Sequence, residues 1–397
     1  MNRRIGAPRA SVRLKLVMAI VLLVFFTACA QQQQKTDGIV INSFSGEPVI
    51  AEAGDNVRFF LDLENVGGTT ARCGLTELYG LESWYTLDST RLSGLRPWRD
   101  KSFSFSFSNN QLNLCYYDLT KGLNACGSYR KDDGVSLSVF VSNAWNTFLN
   151  DYCDSYQSIS TFPDARFFSQ LSPVLPQRNR PGQSQTYDWF FKPPILPEGL
   201  KVNYDVTARV SYAYTSNAHI NIKAFNKEEY RRRQNLGEQI AYPVDVVNSY
   251  NAPIQINVRQ GSSPIIVSTP SDFITDPIQR ENYVLEFVNL GSGFPLPLES
   301  PDSGFIIAVV EVNGPGVYFE NCLGQEGGTA ILDHDIVRSL VKLRGATNSA
   351  PFSCTIAIDR SAWANVPTGT ISLTFSAFYR YYTDAETKVS VLGVEES

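Results

Sequence analysis

Histidine and methionine are nearly missing from this 397-residue chain, at two copies each. With only His219 and His334 to draw on, a histidine-built metal site or proton relay has few parts. No CxxC or Cys/His spacing of a zinc site occurs. No Gly-x-Ser-x-Gly elbow precedes His334, no glycine-rich phosphate loop ends in Lys-Ser/Thr, and no Asn-x-Ser/Thr sequon appears. Charge is also sparse: 18% of residues are Asp, Glu, Lys or Arg, and the net charge is −5. A chain without a basic excess is poorly suited to the phosphates of nucleic acid, so no nucleic-acid partner is expected. What is abundant is aromatic, with 24 Phe and 19 Tyr. Aromatics without helix-favouring charge point to strands, and the 43% hydrophobic content allows a sizeable core.

The N-terminus carries the clearest pattern. Arg3, Arg4, Arg9, Arg13 and Lys15 precede an uninterrupted apolar run, Leu16 to Phe26, then Thr27, Ala28 and Cys29. A cationic flank, a short apolar run and small residues are the parts of a secretory signal segment, here residues 1–28. The run falls short of the roughly 20 apolar residues that span a bilayer comfortably. Thr27-Ala28-Cys29 looks like a lipoprotein signal box, in which the chain is cut before the cysteine and its thiol is lipidated. Phe26 stands where Leu is usual. Cys29 is thus the expected lipidation site, residues 29–37 a polar tether, and the expected location extracytoplasmic, anchored to the cell membrane. Plain secretion and an uncleaved N-terminal anchor are the alternatives.

Setting Cys29 aside leaves six cysteines, an even number that suits an oxidising compartment. Cys322 and Cys354 have only each other nearby in sequence and are paired. Cys73, Cys115, Cys126 and Cys153 allow three connectivities, with Cys73–Cys153 and Cys115–Cys126 the one expected.

An internal repeat organises the rest. Phe59-Phe-Leu-Asp-Leu-Glu-Asn-Val-Gly-Gly68 aligns without a gap on Tyr283-Val-Leu-Glu-Phe-Val-Asn-Leu-Gly-Ser292. In both copies an alternating strand ends in Asn-x-Gly, residues that tolerate the positive φ of a turn. Tyr204, Val206, Ala208, Val210, Tyr212 and Tyr214 alternate with polar residues, and Ile371, Leu373, Phe375, Ala377, Tyr379 and Tyr381 do so again. Each reads as the first arm of a β-hairpin, turning at Thr215-Ser-Asn217 and at Thr383-Asp384. The predicted organisation is a module over 38–258, a second over 262–394, and a modest hinge at Gly261-Ser-Ser-Pro264. The first module is longer by roughly 57 residues, a surplus placed within an insertion at about 85–180. Helix is expected at 226–234, with Asn226 as N-cap, and as a turn at 145–152.

The opening motif, Asn65-Val-Gly-Gly-Thr-Thr-Ala71 with a later Pro181-Gly182 turn, resembles the CARDB family of immunoglobulin-like domains from prokaryotic surface proteins. The second copy lacks the matching Ala. The resemblance implies an all-β fold: two immunoglobulin-like β-sandwich modules in tandem, the first with a long disulfide-bonded insertion. With the signal segment, the whole resembles prokaryotic, archaeal-type surface lipoproteins.

For chemistry, the residues offer little. Asp333-His334-Asp335 lacks the spaced oxygen ligands of a calcium loop, and a solvated loop histidine is the expectation. Asp132-Asp133 and Glu228-Glu229 sit beside basic residues and read as solvated charge. No cofactor, metal or catalytic residue is predicted. The aromatic-rich insertion supplies the candidate binding residues Trp84, Tyr85, Trp98 and Trp145, which if exposed would suit glycan or protein contacts; the weightier reading is that they pack the insertion's own core. The expected role is a membrane-anchored structural, adhesive or binding protein without catalysis, whose partner is a surface protein or a glycan. The alternatives are an accessory subunit of an envelope assembly and, further off, a glycan-binding or carbohydrate-active protein.

Overall fold

The computed structural model describes residues 36–92, 101–108, 111–118, 123–130, 137–157, 162–238, 240, 242–268, 276–296, 303–323, 331–333, 336–344 and 347–394. The signal segment 1–28, Cys29, Trp98, Asp132, Asp133, His334 and Asp335 lie outside them. The first sequence copy contributes β1 (Ile39–Glu47), β2 (Ile50–Glu52), β3 (Val57–Asn65), β4 (Ala71–Tyr79) and β5 (Tyr85–Thr86). The insertion adds β6 (Lys101–Ser108), β7 (Gln111–Asp118), β8 (Leu123–Arg130) and helix α1 (Leu137–Gln157). Then come β9 (Ala165–Leu171), β10 (Ser184–Lys192), β11 (Lys201–Asn226) and helix α2 (Lys227–Asn235). Next are β12 (Asp245–Asn248), β13 (Ile254–Gln260), β14 (Ile265–Val267), β15 (Ile278–Asn289), β16 (Phe294–Leu296) and β17 (Ser303–Asn313). Last are β18 (Val317–Asn321), β19 (Ile331–Asp333), β20 (Ile336–Arg344), β21 (Asn348–Ser349), β22 (Phe352–Asp359) and β23 (Thr368–Leu392).

The architecture is all-β, built from large packed sheets. The strand β3 shows why: Val57, Phe59, Leu61 and Leu63 are buried while Arg58, Phe60, Asp62 and Glu64 face partly outward, the period-2 signature of a sheet with one core face. It pairs with β1 and β10 in a four-stranded sheet, β1-β3-β10-β5. In the second copy β15 pairs with β13 and with β22, which pairs with β18. The four-stranded sheet packs on a long 16-stranded sheet that holds β4, β11, β17, β20 and β23, and β18, β22 and β15 continue that same sheet through β21 and β20. Trp84 meets Tyr204 of β11 edge-on at 5.5 Å on one side, and Phe287 of β15 meets Phe375 of β23 at 6.4 Å on the other.

The expected hairpins are not hairpins. β11 runs 26 residues and β23 runs 25, each straight through its expected turn. They pair with each other, antiparallel, in unbroken register from Lys201↔Leu392 to Phe225↔Thr368. No residue from 215 to 219, nor Thr383 or Asp384, has a positive φ, so nothing there turns the chain. The parity confirms continuity. Even-numbered residues from Val206 to Ala224, Ser216 excepted, line the core, and so do the odd-numbered residues from Ile371 to Tyr381 with Val389 and Val391. Each sandwich therefore takes half of each long strand, and the two cores join into one. In place of a hinge, Gly261-Ser-Ser-Pro264 is a corner between β13 and β14, and β14 pairs in parallel with the end of β11.

The ladder has an approximate two-fold centre at Ala213↔Arg380. Around it Tyr212 faces Tyr381 and Tyr214 faces Tyr379, giving a four-ring cluster with centroids about 6 Å apart. Their hydroxyls secure the start of each copy: the Ile39 N–H donates to Tyr212 and the Ile254 N–H to Tyr379. The Asn-x-Gly turns close alike, with Gly67 N–H donating to Asn65 Oδ1 and Gly291 N–H to Asn289 Oδ1. Helix α2 starts as expected, Asn226 Oδ1 accepting from the Glu229 N–H at 2.8 Å.

Candidate functional site

The insertion forms a layer on the outer face of the central sheet. Helix α1 is far longer than the expected turn. Its apolar stripe, Phe140, Val141, Ala144, Trp145, Phe148 and Leu149, repeats at helical spacing and is buried. The stripe packs on Cys73, Leu75, Ala213, Ile307, Val309 and Phe378 of the sheet. Polar contacts fix the helix in rotation. Arg72 donates from Nη1 to Asn146 Oδ1 at 2.9 Å and from Nη2 to Asn150 Oδ1 at 2.7 Å, catching two asparagines one turn apart. A Cys73–Cys153 disulfide ties β4 to the last turns of α1. A second layer follows: β6, β7 and β8 form a three-stranded sheet whose Leu112 and Leu114 are buried in the same cluster. Cys115 and Cys126, directly opposite on β7 and β8, are bonded. The third disulfide, Cys322–Cys354, lies in the second sandwich.

Under α1 the central sheet carries Arg380, only 1% exposed. Its guanidinium donates to the Cys73 carbonyl at 3.3 Å and to Ser211 Oγ at 3.1 Å. Nearby, Arg209 is bidentate with Asp384, directly across the ladder, and stacks on Tyr382 at 4.3 Å.

Of the residues singled out for binding, Trp84 is fully buried against Phe59 and Tyr204. Trp145 is 2% exposed and packs on Phe148 and Phe378. Both serve the core, because burying an indole is worth more than displaying it. Tyr85 is half-buried on the two-residue strand β5. These residues do not converge on one surface. His219 is exposed, its Nδ1 3.2 Å from Thr374 Oγ1. The pKa of Glu229, half-buried on α2, is held down to about 2 by hydrogen bonds from Arg232 and Arg233, as on an ordinary charged helix face. Among the described residues no group of three His, Cys, Asp or Glu could hold a metal ion.

What the structure brings together instead is a cleft of about 350 Å³ between the free edge of β8 and the flank of α1. Phe140 and Ala144 form its apolar part, with Asn143 and Thr147 beside them and Tyr129 and Arg130 opposite. The Tyr129 hydroxyl is shielded from water and has no hydrogen-bond partner. Burial, with a smaller push from Asp151, raises its pKa to about 12. The spacing 140, 143, 144, 147 was readable as one helical face, but only for a helix longer than the sequence suggested.

The chain enters this body on the opposite side. Thr36 Oγ1 donates to the Leu290 carbonyl at 2.6 Å, and the Asp37 carbonyl accepts from the Tyr212 hydroxyl. Tyr212 points into the core, whereas Ala213, its neighbour, faces α1.

No family model matches the chain, and no curated protein matches it. Among solved structures, the type II cohesin dyad of the adaptor scaffoldin ScaA of Acetivibrio cellulolyticus is similar at 9% identity, over 85% of this chain and 83% of that one, with a TM-score of 0.13. The collagen adhesin of S. aureus is similar at 6% identity, over 91% and 95% of the two chains, with a TM-score of 0.09. Neither superposes on the chain as a whole, and the reading of the site rests on its own residues.

Proposed function

We propose that this chain is an anchored, extracytoplasmic binding protein, without catalysis, that holds its disulfide-clamped insertion away from its point of attachment. One observation carries the reading: the chain enters the core side of the central sheet at Thr36, and the insertion is bolted to the other side through α1. Residue 36 and the insertion thus lie on opposite faces of the central sheet. The three disulfides support an oxidising compartment, and the cationic flank and apolar run of residues 3–26 support export. The Asn-x-Gly repeat is in keeping with CARDB-type surface modules.

Two measurements test this. Cys29→Ala is expected to move the protein from the membrane fraction to the soluble one. An epitope placed in the β7–β8 connection is expected to bind antibody on intact cells. Reaction only after lysis would overturn the outward display.

A further inference from the structure

We infer that the β8–α1 cleft is a binding site for a carboxylated sugar unit of a surface glycan. The proposal rests on the outward display argued above and names what the displayed site takes. Its volume, about 350 Å³, lies at the small end of ligand pockets, which run from roughly 300 to 1,000 Å³. That suits one or two sugar rings and excludes a folded partner's helix.

The lining decides the chemistry. Phe140 and Ala144 offer a short apolar surface for the C–H face of a ring, while the Asn143 amide and Tyr129 hydroxyl offer hydrogen bonds. The Tyr129 hydroxyl is the informative group. A buried hydroxyl without a partner is costly, and a ligand hydroxyl arriving beside it would supply the bond it lacks. A purely hydrocarbon ligand would leave it unmet. Among the described residues no carboxylate lines the cleft, so a divalent cation finds no ligands among them. A polyphosphate would want several cations, and among the described residues the cleft has one, Arg130, which is exposed and paired with no carboxylate among them.

A planar guanidinium matches a carboxylate in two parallel hydrogen bonds. Asp151 lies one helical turn beyond Thr147, and its negative charge is felt at Tyr129. An anionic group is thus drawn to Arg130 and away from Asp151.

The test is calorimetry on the full chain in detergent, with oligogalacturonate, oligoglucuronate and a sialylated trisaccharide as probes, each beside its methyl ester. Binding of at least one acid form is expected, weakened about tenfold by esterification. Arg130→Gln is expected to cost a similar factor, with Arg130→Lys in between. Tyr129→Phe is expected to weaken the same probe several-fold. Asn143→Ala, on the exposed flank of α1, gives a second variant whose folding is not in question. Unchanged thermal midpoints certify each variant. Equal binding of acid and ester, or no loss in Arg130→Gln, overturns the assignment. So does silence from all three acids at millimolar concentration. In that event antibody access to the β7–β8 connection still judges the display by itself.

Discussion

Ala213 stands directly across the β11–β23 ladder from Arg380, at the centre of the repeat, and the two are counterparts that differ completely in size and charge. On either side of the pair the tyrosines obey the symmetry; at the pair it breaks. The break coincides with the insertion, since the Arg380 guanidinium reaches across the outer face to the Cys73 carbonyl and Ser211, beneath α1. Arg380→Ala removes those donors and opens a cavity. A loss of about 2–4 kcal/mol is expected, read as a lowered urea midpoint. A midpoint within error of the parent would deny Arg380 any structural role.

The Cys73–Cys153 bond closes a loop with a sequence separation of 80. In the chain-entropy account a loop of that size is worth about 4–5 kcal/mol. Replacing both cysteines with serine is expected to loosen α1 first. Limited proteolysis should then cut within 137–157 while the sandwiches stay intact. Simultaneous digestion of the whole chain would show that the insertion is not a separable layer.

A Cβ added at Gly67 would overlap the Tyr214 hydroxyl, and one at Gly291 the Tyr381 hydroxyl. Gly67→Ala is expected to cost about 1–3 kcal/mol through overpacking. In a Tyr214→Phe background the same change should cost measurably less, because the obstructing oxygen is gone. Additive effects in that double-mutant cycle would sink the explanation.

Burial raises the pKa of Tyr214 to about 12 and pushes Tyr212 and Tyr379 upward as well. The unfolded value is near 10. A raised folded value means that the fold favours the neutral phenol. This contribution is complete below pH about 10 and is lost as pH climbs towards 12. The urea midpoint should therefore hold from pH 8 to 9.5 and fall steeply by pH 11, together with a rise in phenolate absorbance. Phenolate appearing in full while the midpoint stays level would contradict it.

The sequence carried the strands well and their partners poorly. The alternation of Val57, Phe59, Leu61 and Leu63 marked a half-buried strand without ambiguity, and Asn226 with Glu229 marked a helix start. The pairing of β11 with β23 was hidden, because alternation reports which face is buried and is silent about which chain lies alongside. The even parity from Val206 to Ala224, interrupted at Ser216, was nevertheless on view, and a hairpin would not have needed it. Helix α1 was under-read because Asn143, Asn146 and Asn150 are weak helix formers; their role, catching Arg72 and flanking a cleft, exists only once β4 and β8 are in place. The cleft was invisible for the same reason. Tyr129 and Arg130 lie on a strand and Phe140 and Asn143 on the helix that follows it, and only the packing of β8 against α1 sets them face to face.

The ladder between β11 and β23 also sets an order of events. One edge of residues 201–225 pairs with residues 368–392, while the other takes β4, β12 and β14, so the central sheet cannot be completed along that first edge until residue 392 has been delivered. Contacts of such long sequence separation slow folding. A chain threaded through a membrane N-terminus first would emerge with its leading half open-edged, and it would need protection from stray strand pairing until the tail arrived.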